Sequence, residues 1–356
     1  MAITAGMVKE LREMTGAGMM DCKKALTETN GDMDAAVEVL KKSGAAKAEK
    51  KAARIAAEGI AKVAIDGNTA VVVEVNSETD FVAKNAIFQE FVQAVADKAL
   101  TVDTEKAGDG EDVVSILDMK ADLDDKILKI GEKISIRRFE KVTADVVASY
   151  IHGGGRIGVL VAGNGASDDA AKEALTNIAM QIAAMNPQYI SRDEISADEL
   201  AKMKEITIDS ALNDPFSLPK PVLSKLIEKA VAGVWSAEDV AIYEEKKSNM
   251  NFLPNFLSKE AASQLAELAL ADRANIAADK IFNGLVEGRV SKQLKEICLM
   301  DQVYVKAEDG KQTVAAYLKS VNPALKIAKF VRFEVGEGME KKNEDFAAEV
   351  AKQMNV

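Results

Sequence analysis

The feature that most constrains the fold is a pattern that occurs twice, a buried strand followed by an amphipathic helix. Residues 71–75 are rich in valine, which predicts a buried strand, and Phe88 starts an apolar stripe at the spacing of one helix face. Further along the chain, residues 157–161 repeat the strand and residues 170–185 repeat the helix. Internal self-similarity of this kind predicts two related α/β subdomains that pack together.

The corner between the first strand and its helix carries residues 79–82, Thr-Asp-Phe-Val, which we name the Phe81 corner. Two interpretations follow from the residues alone. Ser77 and Asp80 fit the S-x-x-D pattern of a capped helix start, with Phe81 filling the core beneath it. Alternatively, an aromatic beside an acid at a polar corner is presented outward. The second copy has residues 166–169 at its corner and no phenylalanine there, which favours a non-structural role for Phe81, because an aromatic needed only for folding would recur.

The segments around this repeat predict a mixture of helices and antiparallel strands. Residues 1–44 predict three short helices, a bundle with little core. Residues 47–54 are basic and rich in alanine, which predicts a solvated linker, helical or extended. Residues 66–68, Asp-Gly-Asn, predict the turn of a hairpin between strands at 61–65 and 70–75. Together these segments predict an α+β fold.

A change in composition predicts an inserted helical module at residues 192–284. Five of the six prolines lie between positions 187 and 254. Ser196 and Ser236 each precede an acidic residue by three positions, the pattern of a capped helix start. Residues 223–231 carry an apolar stripe at helical spacing.

The remaining segments are predicted from shorter patterns. Residues 336–338, Gly-Glu-Gly, predict a turn, and a last amphipathic helix with Phe346 and Val350 follows, which packs on its own core or docks on a partner. The other expected elements are helices at 113–119, 123–130 and 313–318, and strands at 134–139, 297–305 and 329–335.

Charge and composition argue against several classes of protein. The net charge is −11 and no long basic stripe occurs, so we expect no direct nucleic-acid partner, because phosphate contacts supply most of the affinity of such proteins. No apolar run approaches the ~20 residues that span a bilayer, and the N-terminal residues predict no export signal. Cys22 and Cys298 form no disulfide framework and no metal-ligand spacing, which fits a cytoplasmic location.

The residues that could support catalysis form no recognisable site. His152 is the single histidine, which excludes a histidine-rich metal site. Residues 153–156, Gly-Gly-Gly-Arg, suggest a phosphate-binding loop, but such a loop follows a strand and opens a helix, whereas these glycines precede the strand at 157–161. We therefore predict a protein that is not an enzyme and needs no cofactor or metal of its own.

A set of motifs points to one family. Residues 76–84, Asn-Ser-Glu-Thr-Asp-Phe-Val-Ala-Lys, resemble the signature of the bacterial elongation factor Ts family. The resemblance covers nearly the whole chain except a segment within 213–275. Further segments that resemble the family, in the family's order, are 8–12, 15–26, 129–134, 152–160, 286–289 and 333–338.

The resemblance implies a guanine-nucleotide exchange factor that binds GDP-bound elongation factor Tu. It implies that Asp80 and Phe81 wedge between helices of this GTPase and displace the elements that hold its Mg²⁺. The contact residues it implies are Thr79, Asp80, Phe81, Val82, Arg12, Met19, Met20, Ile130, Gly131 and His152. The domains it implies are a ubiquitin-associated-like three-helix domain and linker at 1–54, a first core subdomain at 55–143, a second at 144–191 and 285–334, the inserted module at 192–284 and a C-terminal module at 335–356.

Some alternatives remain open. In the family the inserted region is a helical hairpin that some members use for self-association. The stripe at 223–231 therefore packs within its own module or forms a homodimer interface. The function could also be that of a scaffold without exchange activity, or of an enzyme with an unrecognised site. Truncating Phe81 would leave scaffold binding intact, and substrate turnover by the isolated chain would indicate an enzyme.

Overall fold

The computed structural model describes residues 3–108 and 111–340, so the predicted last helix with Phe346 and Val350 lies outside the described residues. Helices and antiparallel sheets together confirm the α+β class. In the described part of the chain, two compact units are present. The first contains the residues up to 186 and those from 304 onward, and the second contains residues 187–303. The predicted inserted module at 192–284 lies within the second unit.

The first unit begins with the predicted helical bundle. Thr4 caps its first helix by accepting a hydrogen bond from the Met7 N–H, and Gly16 ends that helix in the left-handed conformation. The third helix continues into the predicted linker, which is therefore partly helical. The helices are α1 (Ala5–Thr15), α2 (Met19–Glu28) and α3 (Met33–Lys51). The buried residues between them are Val8, Leu11, Ala17, Cys22, Ala25, Leu26, Ala36 and Leu40.

Four strands among the residues described form an antiparallel sheet in the order β1-β2-β4-β3. Asp66 pairs with Thr69, which confirms the predicted hairpin and its turn. The second strand is central and buried on both faces, so it reads as a nearly continuous apolar run. The elements are β1 (Glu58–Asp66), β2 (Thr69–Ser77), α4 (Asp80–Ala83), α5 (Ala86–Thr101), β3 (Lys106–Ala107), α6 (Val113–Ile116), α7 (Lys120–Ile130) and β4 (Ile134–Thr143).

Glu74 is a buried carboxylate in the middle of β2. A bulge between β2 and β4 at this point lets two consecutive arginines of β4 reach the same side chain. Glu74 accepts hydrogen bonds from Arg137 Nη1 at 3.0 Å, Arg138 Nε at 2.6 Å, Asn76 Nδ2 at 3.1 Å and the Gly336 N–H at 2.9 Å. This cluster joins β2 and β4 to the segment that follows the last strand.

The described part of the chain also holds a three-stranded antiparallel sheet in the order β5-β6-β7. The strand predicted at 157–161 is present in this sheet as β6, and the helix predicted at 170–185 follows it in the chain. The glycines at 153–155 form the turn of the β5–β6 hairpin, so they do not open a helix. The elements are β5 (Val146–His152), β6 (Ile157–Asn164), α8 (Asp169–Met185) and β7 (Lys326–Glu334).

The regular secondary structure of the second unit, residues 187–303, is helical. Both predicted helix caps are present, and Ser196 forms a full capping box with Glu199. Leu223 and Ile227 of the predicted stripe are buried inside the unit, so this stripe is not free to form a homodimer interface, and a homodimer stays a prediction. The helices are α9 (Ala197–Asn213), α10 (Lys220–Val231), α11 (Ala237–Lys246), α12 (Lys259–Ala271), α13 (Arg273–Ala278) and α14 (Lys280–Ile297); α15 (Val314–Val321) then follows in the first unit.

The two ends of the second unit are tied together by a short paired segment, which we name the neck. The N–H groups of Gln188 and Tyr189 donate to the Ile297 carbonyl, and the Leu299 N–H donates to the Tyr189 carbonyl. The strand predicted for 297–305 is wrong. Among the described residues, this segment contains isolated bridge positions at Cys298, which pairs with Tyr189, and at Val303, but no strand. Ile297 is the last residue of the preceding helix, and residues 299–301 form a single 3₁₀ turn.

Candidate functional site: an exposed aromatic corner

The Phe81 corner connects β2 to the short helix α4. Thr79, in extended conformation, caps this helix, and its Oγ1 accepts the Val82 N–H at 3.5 Å. The predicted cap by Ser77 is wrong, because Ser77 Oγ instead donates to the Thr79 carbonyl at 3.0 Å. Ser77 is the last residue of β2 and precedes Thr79 by two positions, so it lies too early in the chain to cap α4.

The structure places the side chain of Phe81 outward, with 78% of it exposed. Val82 is 8% exposed and lies in the core of the first sheet with Phe88. Successive side chains of a helix point about 100° apart, so burying Val82 directs Phe81 into solvent. The core interpretation of Phe81 is therefore wrong, and Val82 anchors the corner. Burying a phenylalanine side chain stabilises a protein or a complex by roughly 1.5–3 kcal/mol. The exposed Phe81 contributes none of this to the fold, so the energy is available for binding a partner.

Asp80, next to Phe81, is exposed and ion-paired. Its Oδ2 lies 2.7 Å from Lys84 Nζ one turn later on the same surface. The hydrogen bond from Lys84 lowers the pKa of the Asp80 carboxyl below its usual value. The corner therefore presents an aromatic ring beside a carboxylate that is charged at neutral pH.

Two carboxylates hold the Phe81 corner against the loop between α7 and β4. Glu132 accepts the Thr79 N–H at 3.0 Å through one oxygen and the Thr79 Oγ1–H at 2.8 Å through the other. Glu78, on the corner side, in turn accepts the Lys133 N–H of the loop at 2.6 Å. We name Glu78 and Glu132 the carboxylate brace. It brings residues 79–82 next to Ile130 and Gly131, which the family resemblance also implied as contacts.

The same loop is attached to the end of the helical bundle. Gly131 ends α7 with a left-handed φ of 85°, and its carbonyl accepts a hydrogen bond from Lys51 at the end of α3. Lys133 Nζ donates to the Ala52 carbonyl at 2.7 Å. The side chain of Arg54 pairs with Glu78 at 3.2 Å. The end of α3, the loop and the corner are therefore connected by successive hydrogen bonds.

His152 lies at the end of β5, exposed, with its Nδ1 3.1 Å from the hydroxyl of Tyr150. The hairpin turn that follows is joined to β1, because the Ala61 N–H donates to the Gly155 carbonyl at 2.7 Å. In the register of the first sheet, Ala61 lies three residues from the strand end that pairs with Ser77. At about 3.3 Å per residue, this attachment is roughly 10 Å along β1 from the start of the corner.

The other predicted contact residues lie on the helical bundle. Arg12 is exposed on α1, and Met19 and Met20 are both exposed at the start of α2. The spacing of the residues alone favours a core position for the two methionines, and that interpretation is wrong because both side chains are exposed. No hydrogen bond among the described residues connects them directly to the Phe81 corner. Their bundle is joined to the corner through α3 and through Leu128 of α7, which packs against the bundle core.

Sequence reasoning did not single out the carboxylate brace, although both of its members occur in the motifs at 76–84 and 129–134. A signal was present, since Glu132 follows a glycine at a predicted helix end. What the sequence lacks is the pairing, because Thr79 and Glu132 are 53 positions apart. Only the fold places these segments side by side.

The described residues contain no group of three or more histidine, cysteine, aspartate or glutamate side chains arranged to hold a metal ion. Within residues 3–108 and 111–340, no helix has the length and apolar character needed to cross a membrane.

Comparison with known proteins gives two findings. The family model described as Elongation factor TS matches residues 78–337, a range that includes the Phe81 corner and the carboxylate brace. A curated relative from Clostridioides difficile (strain 630), elongation factor Ts, is 42% identical over 360 residues, which cover 99% of this chain and 99% of the relative. Residues 213–275 therefore have a counterpart in that relative, and the expectation that the resemblance omits part of this segment is wrong.

Proposed function

The chain belongs to the elongation factor Ts family, and we propose on this premise that it binds GDP-bound elongation factor Tu and promotes release of GDP, so that GTP can rebind. The observation that carries the proposal is the outward position of Phe81 on a corner that is otherwise fixed by Val82 and Thr79. Membership of the family assigns the protein to the elongation phase of translation. We accordingly propose that it acts in the cytoplasm.

The proposed mechanism acts on the metal and phosphate site of the GTPase. Phe81 and Asp80 insert between helices of the partner and displace the elements that hold its Mg²⁺. The ion is the main positive charge that neutralises the phosphates of GDP, so its loss weakens nucleotide binding. The factor supplies no chemical step and no metal of its own. Its contribution is a ring and a carboxylate presented in a fixed geometry, which reduces the entropy lost on binding.

Other parts of the chain supply further contacts in this proposal. Ile130 and Gly131 bind beside the corner, since the carboxylate brace holds both segments together. His152 binds from the second sheet. Met19 and Met20 contact the GTPase domain together with Arg12, and exposed methionines suit such a contact because their side chains adapt to irregular surfaces.

Thermodynamic linkage fixes what this mechanism requires. If the factor weakens GDP binding by a given ratio, GDP weakens binding of the factor by the same ratio. In the complex of factor, GTPase and GDP, the factor and GDP are therefore each bound more weakly than when either is bound to the GTPase alone. Exchange proceeds without input of energy, and the direction is set by the nucleotide that is available to refill the site.

The test is release of a fluorescent GDP analogue from elongation factor Tu, measured by stopped flow. We expect the protein to accelerate release, and we expect Phe81→Ala to reduce the acceleration by roughly tenfold or more, as for a central interface residue. Asp80→Ala should also reduce it. The matched control is Phe252→Ala, because Phe252 is also exposed, at 58%, but lies in the second unit.

The results separate exchange from scaffolding. A Phe81→Ala variant that remains folded, by circular dichroism, and exchanges at the wild-type rate would refute the wedge. If the protein binds elongation factor Tu but never accelerates release, the scaffold interpretation is correct instead.

A further inference from the structure

The helix that carries Phe81 cannot fix its own conformation. α4 has four residues, and helices of this length are not stable without outside contacts. The internal cap, from the Val82 N–H to Thr79 Oγ1, is 3.5 Å long, at the limit of a hydrogen bond. The direction of the Phe81 ring is therefore set by what holds the corner from outside.

Two outside anchors are visible. Val82 is buried in the core of the first sheet and fixes the C-terminal side of the corner. Glu132 fixes the N-terminal side, where its two oxygens accept the Thr79 N–H and the Thr79 hydroxyl. Because one carboxylate holds both the peptide plane and the side chain of Thr79, it restricts the backbone angles from which α4 starts. Hydrogen bonds to a charged acceptor are also stronger than those between neutral groups.

Glu78 completes the arrangement from the other side. Its carboxylate accepts the Lys133 N–H, next to Glu132, while Glu132 accepts the N–H of Thr79, next to Glu78. Each segment thus supplies a carboxylate to the backbone of the other. Neither segment can shift along the other without breaking a charge-assisted bond.

We propose that Glu132 is a positioning residue for nucleotide exchange, which acts through Thr79 to hold Phe81 and Asp80 in the orientation that the GTPase binds. The proposal rests on the proposed function and adds to it a residue whose side chain need not touch the partner. With the carboxylate removed, the corner samples several orientations, and only a fraction of molecules is competent to bind, so apparent affinity falls by that fraction.

The test is a double-mutant cycle in the fluorescent GDP-release assay with the full chain. We expect Glu132→Ala to reduce the acceleration roughly tenfold, within the range of coupled neighbouring residues. In the Phe81→Ala background the same substitution should change the rate less than about twofold, because the ring that it positions is absent. Glu132→Gln should retain more activity than Glu132→Ala, since its amide oxygen can still accept the Thr79 N–H.

The chain provides a matched control in the other unit. Glu199 accepts the Ser196 N–H at 2.9 Å and the Ser196 hydroxyl at 2.8 Å, both through one oxygen, so it binds the same two kinds of group that Glu132 binds on Thr79. Its other oxygen accepts the Tyr189 hydroxyl at 3.2 Å. Glu199→Ala therefore removes equivalent hydrogen bonds, and we expect it to leave GDP release at the wild-type rate.

Two results would overturn the positioning role. One is wild-type exchange by Glu132→Ala. The other is an equal reduction with and without Phe81, which would indicate general damage to the fold. If Glu132→Ala does not fold, Glu132→Gln is tested instead, alone and in the Phe81→Ala background. An equal reduction of the release rate in both backgrounds would again overturn the positioning role. Failure of the proposed function is a different result, wild-type exchange by Phe81→Ala alone.

Discussion

Replacing Glu74 by alanine tests how strongly the buried charge cluster stabilises the first unit. Glu74 is fully buried, whereas its partners Arg137 and Arg138 keep 20% and 17% of their side chains exposed. The substitution therefore removes the buried carboxylate that both arginines share, while Arg138 keeps its ion pair with the exposed carboxylate of Glu337 at 3.3 Å. It also leaves the Gly336 N–H without its acceptor.

The size of the effect follows from this geometry. Removing one member of a buried ion pair typically costs about 3–5 kcal/mol. Water can reach the partly exposed arginines, so we expect the lower end of that range, about 3 kcal/mol, or roughly a hundredfold in the unfolding equilibrium. Glu74→Gln keeps the shape and one acceptor oxygen but loses the charge. We expect it to cost about 1–2 kcal/mol, the difference between charged and neutral hydrogen bonds.

The assay is denaturant unfolding followed by far-ultraviolet circular dichroism, combined with hydrogen exchange of the amides at 335–338. Glu74→Ala should lower the unfolding midpoint and increase exchange at these amides, because Gly336 loses its bond. Glu58→Ala is the control, since Glu58 is exposed on the neighbouring strand. An ordinary surface substitution changes the free energy of unfolding by no more than about 0.5 kcal/mol. The reasoning would be refuted if Glu74→Ala changed it by no more than that.

Two further predictions concern titratable side chains. Burial raises the pKa of the Cys22 and Cys298 thiols. At pH 8 the native protein should therefore react with a thiol reagent far more slowly than the denatured chain. Rapid reaction of both thiols in the native state would contradict this. Burial, with the hydrogen bond to Tyr317, raises the pKa of Tyr304 above its usual value, so its contribution to stability is complete below about pH 10 and falls as the pH rises further. Tyr304→Phe should flatten this alkaline loss in thermal melts between about pH 9 and 11, and an unchanged slope would contradict the assignment.

Local chemistry made part of the fold predictable. The hairpin of β1 and β2 was predictable because Gly67 and the polar residues beside it favour a tight turn between two apolar runs. The helix starts at Ser196 and Ser236 were predictable because each cap lies three residues from an acid. These signals need no knowledge of distant contacts.

The parts that could not be predicted depend on contacts distant in sequence. Residues 297–305 have strand-like composition, but in the described structure Ile297 ends α14 and residues 299–301 form a 3₁₀ turn. The orientation of Phe81 was ambiguous because one helical turn is too short to show a periodic face. The partner of Glu132 could not be identified, since nothing within its own segment specifies Thr79.

The neck has a consequence for how this protein can be altered. Gln188 and Ile297 are hydrogen-bonded, so the chain leaves the second unit almost where it enters. The entropy of closing a loop grows only with the logarithm of its length, and here the closure is already made by the neck. Residues can thus be inserted in the turns between α9 and α14 while the entrance and exit points stay in place, whereas the helices themselves form the buried core of the unit. The exposed turns of this region are natural positions for inserting a reporter domain or for opening the chain in a circular permutant.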